Sequence, residues 1–379
     1  MKGKWPMIYL DNNSTTQTDK DAATKAFDLM VNNYGNPSSL HHFGMDAYQS
    51  LLNARYQVSR IISAKTEDIY FTSGGTESNN IAIRGAAMAE KGHGHHIVTT
   101  SIEHSSVLQC CRALEKEGFS VTYINPNPVT HTICASDIIN AIREDTILLS
   151  VMQVNNETGE LLPLEEIIQG VRDKNPSVKI HCDAVQGYGK IPLKTYALDL
   201  DFISASGHKI HAPKGIGLLY IKSRRQVIPL KYGGSQECRV NPGTENVPLA
   251  CSFGIAAEKK ILNMQKHFDH VLSLKKHLTE RLSGEFGCIH INSPENSSPY
   301  VINFSVLGHQ SSEVVDYMSM KDIYVSAGSA CSKGSPSHVL AAAGYSRSIV
   351  SSALRISFSE YNTLHEIDTF ADTLHKALK

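Results

Sequence analysis

Phe71-Thr72-Ser73-Gly74-Gly75-Thr76-Glu77-Ser78 decides how this chain is built. Residues 68–72 are aromatic and β-branched, which suits a short strand. Two glycines break that strand, and a helical pattern starts at about Thr76 and covers residues 78–91. Strand, glycine turn and helix make the unit from which parallel sheets are assembled. The unit recurs outward from here. Residues 47–62 read as an amphipathic helix, 97–101 as a strand, 105–118 as a helix and 120–124 as a strand. Apolar runs of buried-strand length follow at 147–154, 178–183, 202–206 and 216–221. The alternation predicts an α/β fold with a mostly parallel sheet covered on both faces. After about Asn246 the pattern changes. A long helical stretch, 250–283, leads into a smaller α+β region ending in a helix at 363–378. One hydrophobic core stops growing near ~250–300 residues, so 379 residues predict two lobes.

Composition narrows the function classes. Hydrophobic residues make up 41% and charged residues 19%, enough for a sizeable core and unlike a disordered chain. With 36 basic against 37 acidic residues, the net charge is -1. No long-range field would hold such a protein on nucleic acid or on an anionic membrane, so a small-molecule substrate is expected. The first ten residues lack the apolar run of a signal peptide, and no stretch is long enough to cross a bilayer. The eight cysteines form no CxxC pair. Reduced thiols in a cytoplasmic protein are the expectation. Cys110, Cys111, Cys134, Cys182, Cys251 and Cys288 read as small core or surface residues. His93, His95 and His96 have the spacing of a metal cluster, but a solvated Gly/His turn accounts for them better, and no metal is expected.

Four segments carry chemistry. The glycine turn at Gly74-Gly75-Thr76 lets backbone approach a ligand and offers the free N–H groups of a helix start, a cradle for phosphate. Asp183 closes the apolar run 178–183, at the strand end where open α/β sheets bind ligands; a helix cap is its structural alternative. Lys209 follows a buried strand through Ser206-Gly207-His208, and a lysine beside apolar surface can be made less basic and so nucleophilic. Its alternative is a solvated loop lysine. Cys331 lies in Val325-Ser326-Ala327-Gly328-Ser329-Ala330-Cys331-Ser332-Lys333-Gly334-Ser335, small polar residues that bury a thiol poorly. Beside Lys333 it is expected to be exposed and partly ionised.

Together these segments resemble the cysteine desulfurases, a branch of the fold-type-I pyridoxal-phosphate enzymes related to class V aminotransferases. The likeness runs nearly end to end. It includes Tyr9 to Thr16, Gly35-Asn36-Pro37-Ser38-Ser39, Thr72 to Asn80 and Glu103-His104. It continues in Val154-Asn155-Asn156-Glu157, Asp183 to Gln186, Ser206 to Lys209, Gly243-Thr244-Glu245-Asn246, Gly328 to Cys331 and Leu354-Arg355-Ile356-Ser357.

The resemblance implies a large cofactor-binding domain, residues 15–257, built on a seven-stranded mostly parallel sheet. Residues 1–14 and 258–379 would form the small domain that carries the Cys331 loop. It implies pyridoxal 5'-phosphate held covalently by Lys209, with Asp183 on the ring nitrogen and Gln186 on the phenolic oxygen. His104 would stack on the ring and relay protons. Gly75, Thr76, Ser206 and His208 would hold the phosphate, and Thr244 would reach the phosphate of a neighbouring subunit in a homodimer. Asn155 would touch cofactor and substrate, and Arg355 would grip the carboxylate of L-cysteine through its planar fork. Cys331 would take the sulphur as a persulphide, leaving alanine, and pass it to an acceptor protein for iron-sulphur cluster assembly or for thiolation of tRNA or a cofactor.

Some positions depart from the family pattern. Cys238 and Asn241 stand where arginines are usual, Arg239 returns one charge at a shifted place, and Gln153 replaces a usual histidine. Cys238 is thereby a second candidate to receive sulphur. The tail after the last helix is short, which leaves the acceptor open. Two rivals share the fold, a selenocysteine lyase and a class V aminotransferase. A third is a non-catalytic cofactor-binding regulator or scaffold, against which the presence of both Lys209 and Cys331 argues.

Overall fold

A computed structural model describes residues 7–195, 197–223, 226–328 and 336–378. Among them run twelve strands: β1 (Ile8–Tyr9), β2 (Ile69–Thr72), β3 (His96–Thr100), β4 (Ser120–Ile124), β5 (Thr146–Met152), β6 (Lys179–Asp183), β7 (Phe202–Ser206), β8 (Gly217–Ile221), β9 (Ile289–Ile291), β10 (Val301–Val306), β11 (Ile323–Tyr324) and β12 (Ala353–Ser357). Seven form one sheet in the order β2-β8-β7-β6-β5-β3-β4. β8 pairs antiparallel with both β2 and β7, and every other pairing is parallel. Six strands therefore point one way, and the ends of β2, β3, β5, β6 and β7 open on the same edge. β5 and β7 are buried along their whole length, as expected of strands covered on both faces.

The glycine turn is shaped by its neighbours. Gly74 has φ 153°, and a Cβ on Gly217, the first residue of β8, would sit 2.6 Å from the Gly74 Cα. Only a glycine there lets β8 slide under the turn. The helix Gly75–Glu90 then starts with no side-chain cap, so its first N–H groups are left for a ligand.

The apolar material falls into separate clusters. The largest joins the sheet to the helices His42–Ile61 and Leu164–Lys174 and to the first half of the long helix Val247–Glu285. Another gathers Ile8 and Leu10 with Leu274, Leu278, Leu282, Phe304, Ile356 and Phe370. It is built on the three-stranded sheet β12-β10-β9, the short pair β1-β11, the second half of the long helix and the helix Leu364–Ala377. The long helix contributes Phe253 to the first cluster and Leu274 to the second. Gln310 and Asn246 both precede helices, but only Asn246 caps with its side chain, accepting from the Leu249 N–H at 3.1 Å.

Two features differ from the sequence reading. The helix Lys20–Val31 is not evident from periodicity; Asp19 starts it, its carboxylate accepting from the Asp21 and Ala22 N–H groups. His96 is no turn residue. It opens β3, fully buried between the hydroxyls of Thr146 (2.7 Å) and Thr122 (2.8 Å), while His93 faces Glu90 at 2.9 Å.

Candidate active site

The strand ends enclose a cavity of about 220 Å³. Its wall includes Gly75, Thr76, His104, Asp183, Gln186, Ser206, His208, Lys209 and Arg355, so nine residues singled out in the sequence meet in one place. Asn155 and Thr244 are not in that wall. Asn155 is fully buried, and its side-chain oxygen accepts from the N–H groups of Glu157 and Thr158 while its nitrogen donates to the Ile102 carbonyl. It braces the loop whose next residue, Asn156, does line the cavity. Thr244 is exposed, outside the cavity of its own chain. Cys331 lies outside the described residues.

The structure replaces the solvated-loop alternative for Lys209 and shows the others making local contacts as well as lining the wall. Lys209 ends a single 3-10 turn, Gly207–Lys209, straight after β7. Its Nζ donates to the backbone carbonyls of Asn13 and, at 2.9 Å, Ser14. Asp183 turns Oδ1 to the Val185 N–H (3.0 Å) and Oδ2 to the Asn79 amide (2.7 Å). His104 caps the helix Ser105–Glu115, its Nδ1 accepting from the Ser106 N–H at 3.2 Å. Arg355, 1% exposed on β12, donates to Asp11 Oδ1 (2.9 Å), Ser14 Oγ (2.7 Å) and the Asn156 carbonyl (3.1 Å). Its Nε is buried and makes no hydrogen bond.

Burial sets the protonation of the neighbours. It drives the His104 ring below the usual histidine range; Lys209 and His338 push the same way and Asp183 opposes them. His208 is pushed down to about 4, first by burial and then by Lys209, Lys214 and Lys190. Both rings are therefore neutral at physiological pH. Glu103 lies fully buried, with one oxygen accepting from Thr100 Oγ1 (2.8 Å) and the Met152 N–H (3.0 Å). Burial and then the Asp183 charge push it up to about 8, which makes it an uncharged acid beside a charged one.

The wall has the marks of a site for a phosphorylated ring. At one end lies the uncapped helix start, where a Cβ on Gly75 would come within 2.6 Å of Val185 Cγ2, so the backbone there is bare. At the other, Gln186 Oε1, Asn13 Oδ1 and Asn156 Oδ1 are buried without hydrogen-bond partners. Such atoms cost free energy unless a ligand completes them. Asn13, Ser14, Asn79, Ser106 and Asn156 were not assigned roles from the sequence, although Asn13-Ser14 and Asn79 sit inside stretches that carry the resemblance. Of the departures, Asn241 donates to the Phe71 carbonyl (3.2 Å) and to Glu77 (3.1 Å), and Cys238 is exposed in a turn anchored by the Glu237–Arg55 ion pair (2.6 Å). Gln153 donates to the Pro192 carbonyl at 3.3 Å.

A strand-end lysine, an acid on the next strand and a bare helix start around one cavity define a lysine-centred α/β enzyme with a phosphate seat. The family model described as Aminotransferase class-V matches residues 8–370. A curated relative named cysteine desulfurase IscS, from Dictyoglomus turgidum, is 36% identical over 98% of this chain and 94% of its own. A solved structure titled NifS-like protein superposes with a TM-score of 0.92 at 33% identity, covering 98% of this chain and 99% of that one. Another, titled SspA in complex with cysteine, gives 0.82 at 32% identity over 94% and 100%. The chain belongs to the class V aminotransferase family, in its cysteine desulfurase branch.

Proposed function

We propose that this protein is a cysteine desulfurase that takes sulphur from L-cysteine onto Cys331 and releases alanine. The observation that carries the proposal is the convergence of Lys209, Asp183, His104 and Arg355 on one cavity. Pyridoxal 5'-phosphate fits the donor set, and when bound it supplies a carbonyl for amines to condense with and a ring that withdraws electrons. The bare helix start at Gly75 and Thr76, with Ser206 and His208, would seat its phosphate. Asp183 would hold the ring nitrogen, and the second hydrogen of the Gln186 amide, whose first goes to the Asn13 carbonyl at 3.0 Å, would meet the phenolic oxygen.

The residues of the chain then divide the work. Arg355, which lines the cavity, takes the substrate carboxylate, while Asp11 and Ser14 hold its guanidinium still. Lys209 holds the cofactor at rest and, once its amine is released, takes the α-proton of cysteine at Nζ. The Asn13 and Ser14 carbonyls orient that amine. His104, uncharged at rest, would stack on the ring and hydrogen-bond the reacting group through its N–H. Cys331 attacks the substrate sulphur as a thiolate, and the C–S bond breaks as the S–S bond forms. Loop stretch 153–157, on which Asn155 spends its whole amide, keeps Asn156 at the wall.

The same reading makes residues 15–257 the cofactor domain and residues 1–14 with 258–379 the smaller one. It makes the protein a cytoplasmic homodimer in which Thr244 completes the partner's phosphate seat. Phe27 (65% exposed), Tyr34 (72%) and Leu40 (95%) are apolar side chains that a second copy would cover. No helix among the described residues is long and apolar enough to cross a membrane. A separate sulphur-acceptor protein, serving cluster assembly or thiolation, would then unload Cys331.

Mixing the protein with cysteine tests the proposal directly. Alanine should appear with reductant present, and mass spectrometry should find one added sulphur on the Cys331 peptide. Cys331→Ala should lose the added sulphur and lower desulfuration at least ~100-fold. Added sulphur on the Cys238 peptide instead would move the acceptor, and a Cys331→Ala protein at full speed would point to an aminotransferase.

A further inference from the structure

In the cavity wall, His104 is tied to Asp183 by two side chains, Asn79 and Ser106, to which the desulfurase reading gives no role. Asn79 is 1% exposed, and its amide nitrogen carries two hydrogens. One goes to Asp183 Oδ2 at 2.7 Å and the other to Ser106 Oγ at 2.8 Å. The reverse orientation of the amide would set its oxygen against the carboxylate. The Ser106 hydroxyl keeps both a second lone pair and its own hydrogen, so its 2.8 Å contact with His104 Nδ1 can run either way by itself. The same Nδ1 already accepts the Ser106 backbone N–H, because His104 is the helix cap. A backbone N–H can only donate. Nδ1 is therefore an acceptor twice over, and a neutral ring with an unprotonated Nδ1 carries its proton on Nε2.

We infer that Ser106, pinned by Asn79, is a positioning residue that holds His104 at rest as the neutral ring protonated on Nε2, with Nδ1 occupied as an acceptor and the ring's N–H left to orient a hydrogen bond. The inference rests on the desulfurase reading for its consequence and on the hydrogen bonds alone for its geometry. The direction of the chain matters. Asn79 donates both ways, so the Asp183 charge reaches Ser106 only through the polarised amide, and no proton passes from Asp183 to His104. Asp183 is left fully charged for its own partner, and His104 is kept uncharged beside it. Among the described residues, Asp183 favours a charged ring, and Lys209 and His338 oppose it. Glu103, next in the chain, is uncharged at neutral pH. Two donors on Nδ1 add to burial, since both favour the neutral ring.

The test is nuclear magnetic resonance of the holoenzyme labelled with 15N-histidine, with His104 assigned by His104→Gln. Wild type should show the proton on Nε2 and remain so from pH 8 down to about 6. Ser106→Ala should let the ring titrate at higher pH and lower kcat about 10-fold with KM within about twofold, and Ser106→Thr should restore both. Asn79→Ala gives the same readings should Ser106→Ala not fold. A wild-type proton on Nδ1, or a Ser106→Ala protein whose His104 signals and kcat match wild type, overturns the inference. Alanine release measured alongside separates the two readings: turnover with the wrong tautomer sinks only this one, and the right tautomer without turnover sinks only the other.

Discussion

Lys209→Ala should bring alanine release down by more than ~1,000-fold and leave the cofactor bound without a covalent link, which borohydride trapping followed by mass spectrometry reads directly. The size of the loss follows from two jobs falling on one atom. Nζ both anchors the cofactor and takes the α-proton, and a positioned general base alone is worth about 100- to 10,000-fold. Both jobs need a neutral amine, and the backbone carbonyls of Asn13 and Ser14 orient it. Lys209→Arg should fare no better, because a guanidinium stays protonated and cannot serve as nucleophile or base. The phosphate seat is untouched by either change. Gly75 at the bare helix start, Ser206 and His208 remain, so cofactor should still bind and the variant should still fold. A trapped adduct on wild type at any peptide other than that of Lys209 would remove the lysine from the mechanism.

How far the sequence carried depended on whether chemistry or packing chose the residue. β7 has the bounds read from the sequence and the helix expected over 47–62 runs as His42–Ile61, because a buried strand and an amphipathic face leave clear patterns, while the half-buried β4 was legible from its run of strand-forming Val121, Thr122, Tyr123 and Ile124. Lys209, Asp183 and Gly75 were legible because packing seldom places an ionisable group or a bare backbone at the end of a buried strand. The helix Lys20–Val31 was not, since its buried stripe is only Ala22, Ala26 and Leu29 while the larger Phe27, Met30 and Val31 are exposed. Asn155 and Asn156 show a limit of another kind. Adjacent identical residues point opposite ways in a loop, and only backbone geometry says that Asn155 braces while Asn156 lines the cavity. Ser106 was invisible for the reason that most supporting residues are. One serine in the first turn of a helix is unremarkable until its hydroxyl is seen between an amide and an imidazole.

Glu360→Ala should destabilise the protein by about 3–5 kcal/mol, the largest effect expected outside the catalytic chemistry. Glu360 follows β12 and reaches back between the two apolar clusters. One oxygen lies 2.5 Å from Lys260 Nζ and 3.6 Å from His267 Nδ1, and the other lies 3.3 Å from His211 Nε2. Lys260 is only 3% exposed and sits on the long helix that contributes to both clusters, so removing the carboxylate strands a buried ammonium. His211 is two residues beyond Lys209, so the loss should also loosen the turn that aims the catalytic amine. Burial by itself would raise the Glu360 carboxyl, but the adjacent His211 ring and the Lys260 charge outweigh it and hold the group far below the ordinary carboxylate range. A depressed acid stabilises the fold above its unfolded value, near ~4.3, and that contribution drains away as pH falls below it toward the folded value. Urea midpoints for wild type and Glu360→Gln should therefore differ widely at pH 7 and begin to draw together only as the pH drops below about 4. Equal midpoints at pH 7 would mean that Lys260 is not charged in the folded protein, and the ion cluster would then contribute nothing to holding the lysine turn, the long helix and the second core together.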